Sequence, residues 1–220
     1  DSGASLTFAP FGSVVGYADG QNGNDTVSYA RFTAGETVVI NLPAEQATGY
    51  INANAGSVGA VVNFESAIGG DSNDIFYSTS ADNHFEGGAG NDLFIFDDNS
   101  GTDTITDLSG DDTFDFTRVT IPLTFTLGSV IVTGSGITVI HTGNDIEHLL
   151  GGPQDDVFVF SVNGVQLANG TGTIDGGGGI TVEFAEIHQH RRCLGHRNEV
   201  AAGGHLNPGI GKGDAHIGGI

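Results

Sequence analysis

The feature that most narrows what this chain can fold into is a nine-residue unit that repeats with its glycines and one carboxylate in fixed places. The clearest copy is Gly87-Gly88-Ala89-Gly90-Asn91-Asp92-Leu93-Phe94-Ile95, which reads G-G-x-G-x-D-x-U-x with U a large apolar residue. Eighteen residues earlier it stands as Gly69-Gly70-Asp71-Ser72-Asn73-Asp74-Ile75-Phe76-Tyr77. Ser78 to Glu86 fits between them in register, with Asn83 at the Asp position and Phe85 at the apolar one. The frame then slips by two and resumes as Gly101-Thr102-Asp103-Thr104-Ile105 and Gly110-Asp111-Asp112-Thr113-Phe114. The sixth-position residues are therefore Asp74, Asn83, Asp92, Asp103 and Asp112, in steps of 9, 9, 11 and 9. Strand-length apolar runs punctuated by Gly, Asn and Asp, with no amphipathic helix of useful length, predict an all-β coiled architecture, a β-roll or β-solenoid.

The same spacing predicts a chemistry. Calcium is a hard cation that takes six to eight oxygens at about 2.3–2.6 Å. A turn with two or three glycines can adopt φ > 0 and aim backbone carbonyls at one point, and one Asp per turn adds charged oxygen. A single six-residue turn cannot fill the shell, but two stacked turns can. If two nonapeptides make one coil, turns eighteen apart share an edge. That pairs Asp74 with Asp92, Asp92 with Asp112 across the slip, and Asn83 with Asp103 on the opposite edge. Gly70, Gly88 and Gly90 allow the close approach, and Asp71 offers a further oxygen. Asp25 and Asp156 are candidates without a partner at eighteen. The competing reading is that Asp and Asn merely bond their own backbone as Asx-turns. The apolar residues Phe76, Phe85, Phe94, Ile105 and Phe114 are expected to face the other way, into a thin core.

Along the chain, Asp1 to Tyr17 is apolar with Gly breaks, and Gly20-Gln21-Asn22-Gly23-Asn24-Asp25-Thr26-Val27-Ser28 is a further nonapeptide. Thr37 to Leu42, bounded by Gly35 and Pro43, reads as a strand, and Val58 to Ile68 is similar. The pattern then recurs on a larger scale. Asp25 to Arg31 resembles Asp112 to Arg118, and Asn63 to Gly70 resembles Asp145 to Gly152, with Asp74 and Asp156 82 residues apart. Such self-similarity points to stacked units rather than one unique pocket. The second copy is poorer in these turns: Gln154 replaces a Gly, and Gly176 to Gly179 runs into Ile180 with no Asn-Asp.

Charge separates the body from the tail. Residues 1–187 carry 25 acidic residues against only Arg31 and Arg118. Residues 188–220 carry Arg191, Arg192, Arg197 and Lys212 against Glu199 and Asp214, with five of the eight His and the lone Cys193. We expect a calcium-binding solenoid over 1–187, densest at 69–116, and a divergent, poorly structured tail over 188–220. The acidic balance excludes nucleic acid as a partner, since phosphate binding needs Lys and Arg, and it opposes compaction unless cations intervene. No run of 18 apolar residues predicts a membrane span. A body without Cys fits an extracellular protein held by metal rather than disulfides. His188, His190, Cys193 and His196 match no closed zinc motif. His84, His141 and His148 are expected on turns or strand faces.

Residues 69–116 resemble the hemolysin-type calcium-binding (RTX) repeats, most specifically at 87–95 and 69–77. Gly101 to Phe116 resembles the segment that closes such arrays in secreted metalloproteases. The resemblance implies a parallel β-roll, export by a type I secretion system, folding on meeting extracellular calcium, and a role carried by attached domains of a larger parent protein. It places the chain in a secreted or bacterial cell-surface protein. The departures at Asn83, Gln154 and Ile180 weaken the expectation of calcium at those turns. The chain has no H-E-x-x-H and no G-x-S-x-G, so no catalytic role is expected of it. The alternatives are a non-catalytic part of a larger secreted hydrolase and an adhesin or glycan-binding surface, the latter resting only on Tyr17, Tyr29, Tyr50 and Tyr77.

Overall fold

A computed structural model describes residues 3–9, 17–33, 35–42, 46–51, 54–56, 60–106, 109–127, 131–141, 146–160 and 173–184. The tail expected at 188–220 lies outside the described residues. The chain is all-β, a roll of short, mostly parallel strands arranged in a ten-stranded and an eight-stranded sheet, with a small pair Tyr17–Asp19 and Ala60–Val62 beside them. Among the described residues no helix is long and apolar enough to cross a membrane.

The nonapeptide dictates this directly. Its first six residues make a turn and its last three a strand whose central residue points inward. Ile75–Tyr77 and His84–Glu86 both show a buried centre between half-buried neighbours, the period of two that a half-buried strand requires. Successive units alternate between sheets. Ser66–Ile68, His84–Glu86 and Gly101–Thr106 are parallel neighbours in one. Ile75–Tyr77, Leu93–Ile95 and Asp112–Asp115 are parallel neighbours in the other. In the eight-stranded sheet the inward row is Ile40, Phe76, Phe94, Phe114, Leu149 and Ile174, in register across the strands. In the other sheet Val27, Ala67, Phe85 and Ile105 form the facing row. Phe76 stacks on Phe94 at 5.0 Å and meets Phe85 across the core at 5.4 Å. The two-residue slip lets Phe96 turn inward as well, where it stacks on Phe116 at 4.6 Å.

His141 ends the row that begins with Val27, opposite Ile105. It is buried, against Phe114, with Nδ1 3.0 Å from the Ile105 carbonyl. It thus lies on a strand face, as expected, and that face is turned into the core. Phe94 stands fully buried at the centre of the aromatic column. Phe94→Ala should lower the unfolding free energy by about 3–5 kcal/mol, the range for removing a buried Phe from a packed core. Urea denaturation in saturating calcium would measure the loss.

Two antiparallel excursions interrupt the parallel winding. Val38–Asn41 pairs antiparallel with Gln46–Ile51, which pairs with Asn54–Gly56. Further on, Thr124–Leu127, Ile131–Gly134 and Ile137–His141 form a meander inside the ten-stranded sheet. Its last strand pairs with Gly101–Thr106 and its first with Asp156–Phe160. The 82-residue copies fall on opposite faces of the roll. Ser66–Ile68 lies in the ten-stranded sheet and its counterpart at 148–150 in the eight-stranded one, while Ile75–Tyr77 and 157–159 have the reverse placement.

Candidate metal centre

The sixth-position side chains take two kinds of hydrogen bond, and Asp74 and Asp156 take both. Toward their own turn they accept the second-position N–H: Asp74 Oδ2 from Gly70 at 2.7 Å, Asn83 Oδ1 from Thr79 at 2.7 Å, and Asp156 Oδ2 from Gly152 at 3.0 Å. These are the local Asx-type bonds of the bland reading. Toward the preceding coil the carboxylates also accept a strand-entry N–H. Asp74 Oδ1 takes that of Val38 at 2.6 Å, Asp92 Oδ1 that of Asp74 at 2.7 Å, and Asp112 Oδ1 that of Asp92 at 2.7 Å. On the opposite edge Asp103 Oδ1 takes the N–H of Asn83 at 2.9 Å. Asp74, Asp92 and Asp112 therefore stand in one column along an edge, about one strand spacing of ~4.8 Å apart. Asn83 and Asp103 stand together on the other.

Asp25 and Asp156 are not isolated. Asp156 Oδ1 accepts the Leu123 N–H at 2.8 Å, and Asp25 Oδ1 accepts the Ala4 N–H. Two residues outside the nonapeptides continue the ladder. Glu65 Oε2 accepts the Asp25 N–H at 3.0 Å, and Glu147 Oε2 accepts the Asp112 N–H at 2.7 Å. They sit at no sixth position, so the nonapeptide spacing does not single them out. The available signal was their match in the 82-residue repeat, Asn-Phe-Glu-Ser against Asp-Ile-Glu-His. Each follows an excursion, where the extra methylene of Glu lets the carboxylate reach back.

Electrostatically this arrangement is costly as it stands. Asp25, Asp74, Asp92, Asp103, Asp112, Glu147 and Asp156 are all buried, at 3% exposure or less. The ion pairs His84–Glu86, Arg118–Asp97 and His148–Asp111 lie outside this set, all with substantial solvent exposure. Burial pushes the Asp74 carboxyl up to about 6, against the opposing bonds from Gly70 and Val38. It pushes Asp103 up to about 7, partly opposed by the Asn83 N–H and the nearby Ser100 hydroxyl. Neither that hydroxyl nor Oδ2 of Asp103 closes a hydrogen bond. Asp156 and Glu147 are raised by the same desolvation. Buried charges persist only when paired or bound to a cation.

Backbone oxygen supplies what side chains do not. Among the described residues no three His, Cys, Asp or Glu side chains converge on one point. At Gly69, however, the space a Cβ would fill is bounded by Asp74 Oδ2 and the Gly87 carbonyl. Gly110 faces Asp112 Oδ1 and the Gly90 carbonyl, and Gly151 faces Asp156 Oδ2 and the Gly176 carbonyl. Each of these three turns thus sets a carboxylate beside a carbonyl of a stacked turn, an all-oxygen donor set that fits calcium and not a soft metal. Gly88 and Gly90 hold φ of 110° and 119°, and a Cβ on Gly90 would lie 2.5–2.8 Å from the Ser72–Asn73 backbone. A Cβ on Gly70 would lie 2.7 Å from the Phe32 carbonyl oxygen. Asp71 is exposed and lines an open cavity of about 120 Å³ with Gly69, Gly70, Glu86 and Gly88.

Residues 15–126, just over half of the chain, match the family model described as Peptidase M10 serralysin C terminal. The match takes in Asp25, the sixth-position residues from Asp74 to Asp112, and both columns. No curated protein matches the sequence.

Proposed function

This chain belongs to the peptidase M10 serralysin C-terminal family, and from that premise we propose that it is a calcium-dependent folding and structural module of a secreted protein. The observation that carries the reading is the column of buried carboxylates set beside backbone carbonyls of stacked turns. Calcium supplied between stacked turns would neutralise the column and fix one coil on the next. The residues that would hold it are Asp74 with Asp92, then Asp92 with Asp112, then Asn83 with Asp103. Carbonyls at the glycine cradles complete the shell, and Asp71 adds an outer oxygen. Asp156 contributes in the second copy. The turns at Asn83, Gln154 and Ile180 would hold the cation less tightly, for want of a carboxylate or a glycine.

The reading assigns no catalysis to these residues. Extracellular calcium is the trigger, and export unfolded through a type I system fits a chain that self-repels until it meets the ion. The module extends over 1–187, with 188–220 a separate segment of different charge. Attached domains of a parent protein would carry the activity. A calcium titration followed by circular dichroism tests the core of this. We expect a largely unfolded spectrum in chelator and a cooperative gain of β-structure at millimolar calcium, since extracellular sites bind at about 10⁻⁴–10⁻³ M. A spectrum that calcium leaves unchanged would sink the reading.

A further inference from the structure

Away from the buried ladder, the first turn leaves a reactive backbone junction open to solvent. Strand Tyr17–Asp19 pairs with Ala60–Val62 and runs into the turn from Gly20 to Asp25. Asn22 and Gly23, in the middle of that turn, are both exposed. Gly23 holds φ of 130°, a conformation that side chains disfavour. Among the described residues, neither the Gly23 N–H nor the Asn22 side-chain amide finds a hydrogen-bond partner. Asn63, Asn73, Asn83 and Asn91 are, by contrast, committed. Asn63 donates its amide to Asp19 at 2.8 Å. Asn73 and Asn91 each accept a backbone N–H from the following coil, at 2.8 and 3.2 Å. Asn83 uses both its oxygen and its nitrogen. At the neighbouring Asp19–Gly20 junction the equivalent atoms are also occupied. The Gly20 N–H is given to the Val62 carbonyl at 2.9 Å, and Asp19 Oδ1 accepts the Gln21 N–H at 2.9 Å and the Asn63 amide at 2.8 Å.

We propose that Asn22–Gly23 is a site of spontaneous deamidation in the folded protein, with the chain's own backbone as nucleophile and water as the second reactant. The Gly23 nitrogen attacks Cγ of Asn22. The N–Cγ bond forms, the Cγ–Nδ2 bond breaks, and ammonia leaves with the proton that the Gly23 nitrogen gives up. Water then opens the cyclic imide. Cleavage of the N–Cγ bond leaves aspartate in the normal chain. Cleavage of the bond from the Gly23 nitrogen to the Asn22 carbonyl carbon leaves isoaspartate, whose backbone runs through the side chain and is one methylene longer. A glycine permits the attack because no Cβ blocks the approach, and here no acceptor holds its hydrogen. The turn is pinned on both sides, by the Gly20 N–H on the Val62 carbonyl and the Thr26 N–H on the Ala4 carbonyl, both at 2.9 Å. An added methylene between fixed points works against the register of Thr26–Ser28 with Ser5–Thr7 and Ser66–Ile68. The aspartyl product instead sets a carboxylate at the third turn position, the place of Asp71 in the turn at 69–77. Either product adds a negative charge to a chain already at −21. The junction is therefore an ageing site in the first coil, three residues from a junction that the fold protects.

The test follows the chemistry position by position. The full chain is incubated at mildly alkaline pH in calcium, with circular dichroism to confirm the β-roll, and in parallel in denaturant. Samples taken over weeks are digested and mapped by tandem mass spectrometry, and isoaspartyl groups are labelled by enzymatic methylation. The same dipeptide occurs outside the described residues at Asn163–Gly164 and Asn169–Gly170, so the readout is assigned to individual residues rather than to the whole mass. In the folded chain we expect the mass gain of an amide turned acid to accumulate at position 22, with isoaspartate among the products, while Asn73, Asn83 and Asn91 keep their amides and Asp19 stays aspartyl. In denaturant Asp19 should isomerise as well. Asn22→Gln, an exposed change that closes an imide ring far less readily, should lose the signal at position 22 and keep the same circular dichroism. Position 22 left intact in the folded chain while it converts in denaturant would overturn the proposal. So would conversion at Asn73 or Asn91 at the rate seen at position 22, because the fold would then not be selecting the site.

Discussion

In calcium-free buffer, the fold should become more stable as pH falls from about 7 to about 4.5, and in saturating calcium the slope should reverse. Asp74 and Asp103 are raised from 3.8 to about 6 and about 7 by burial. Their unfolded counterparts titrate near the ordinary value. A carboxyl with a raised folded pKa contributes stability that is complete below the unfolded value and is lost as pH climbs through the folded one. The window is therefore about pH 4 to 7, and the two groups together amount to several kcal/mol, at ~1.4 kcal/mol per pKa unit. Asp156 and Glu147 shift the same way and steepen the slope. The falling net charge adds to it by easing self-repulsion. With calcium bound the carboxylates are ionised ligands, and protons compete with the metal, so acid weakens the complex. The folded fraction measured by circular dichroism across that range, without calcium and at limiting calcium, would show two curves of opposite slope. Parallel curves would mean the buried carboxylates are not what links calcium to stability.

The contrast between legible and illegible parts of this molecule follows from what repeats. The column Asp74–Asp92–Asp112 could be read from spacing because a fixed number of residues per turn places equivalent side chains on one edge, coil after coil. Phe76, Phe85, Phe94, Ile105 and Phe114 could be read for the same reason, since a three-residue strand has one inward position. Position in the coil is periodic, but the choice of sheet is not. The 82-residue copies therefore look alike in sequence and lie on opposite faces, because an odd number of half-coils separates them. Glu65 and Glu147 were invisible to spacing because each is joined to its partner across an excursion, 40 and 35 residues away. Loop length there is set by the inserted strands and carries no register. Asp71 shows the converse. It lies in a strong motif, yet its third-position side chain points to solvent.

Asp103→Asn separates the two roles of a ladder carboxylate, and its effects should have opposite signs with and without calcium. The Oδ1 of Asp103 accepts the Asn83 N–H at 2.9 Å, a bond an amide oxygen keeps. What the substitution removes is a buried negative charge at full burial. Without calcium at neutral pH, that charge is the liability: wild type must either ionise in a dry site or hold a proton at a pKa near 7. The variant needs to do neither, so its metal-free fold should gain about 1–3 kcal/mol above pH 7, less than the ~4 kcal/mol that the full pKa shift would allow, because the new amide must itself be satisfied. Its calcium-free pH slope should flatten correspondingly. In saturating calcium the same change removes a charged ligand from the edge where Asn83 already lacks one, so the variant should be the weaker fold and need more calcium to reach its midpoint. The neighbouring turn makes the comparison internal, since Asn83 already bears an amide at this position and still makes its local bond to Thr79. The folded fractions of wild type and variant, followed by circular dichroism from chelator through a calcium titration, should therefore cross. A variant less stable in both conditions would show that Asp103 serves chiefly as a hydrogen-bond cap, and that the cation on this edge, if bound, is held by other groups.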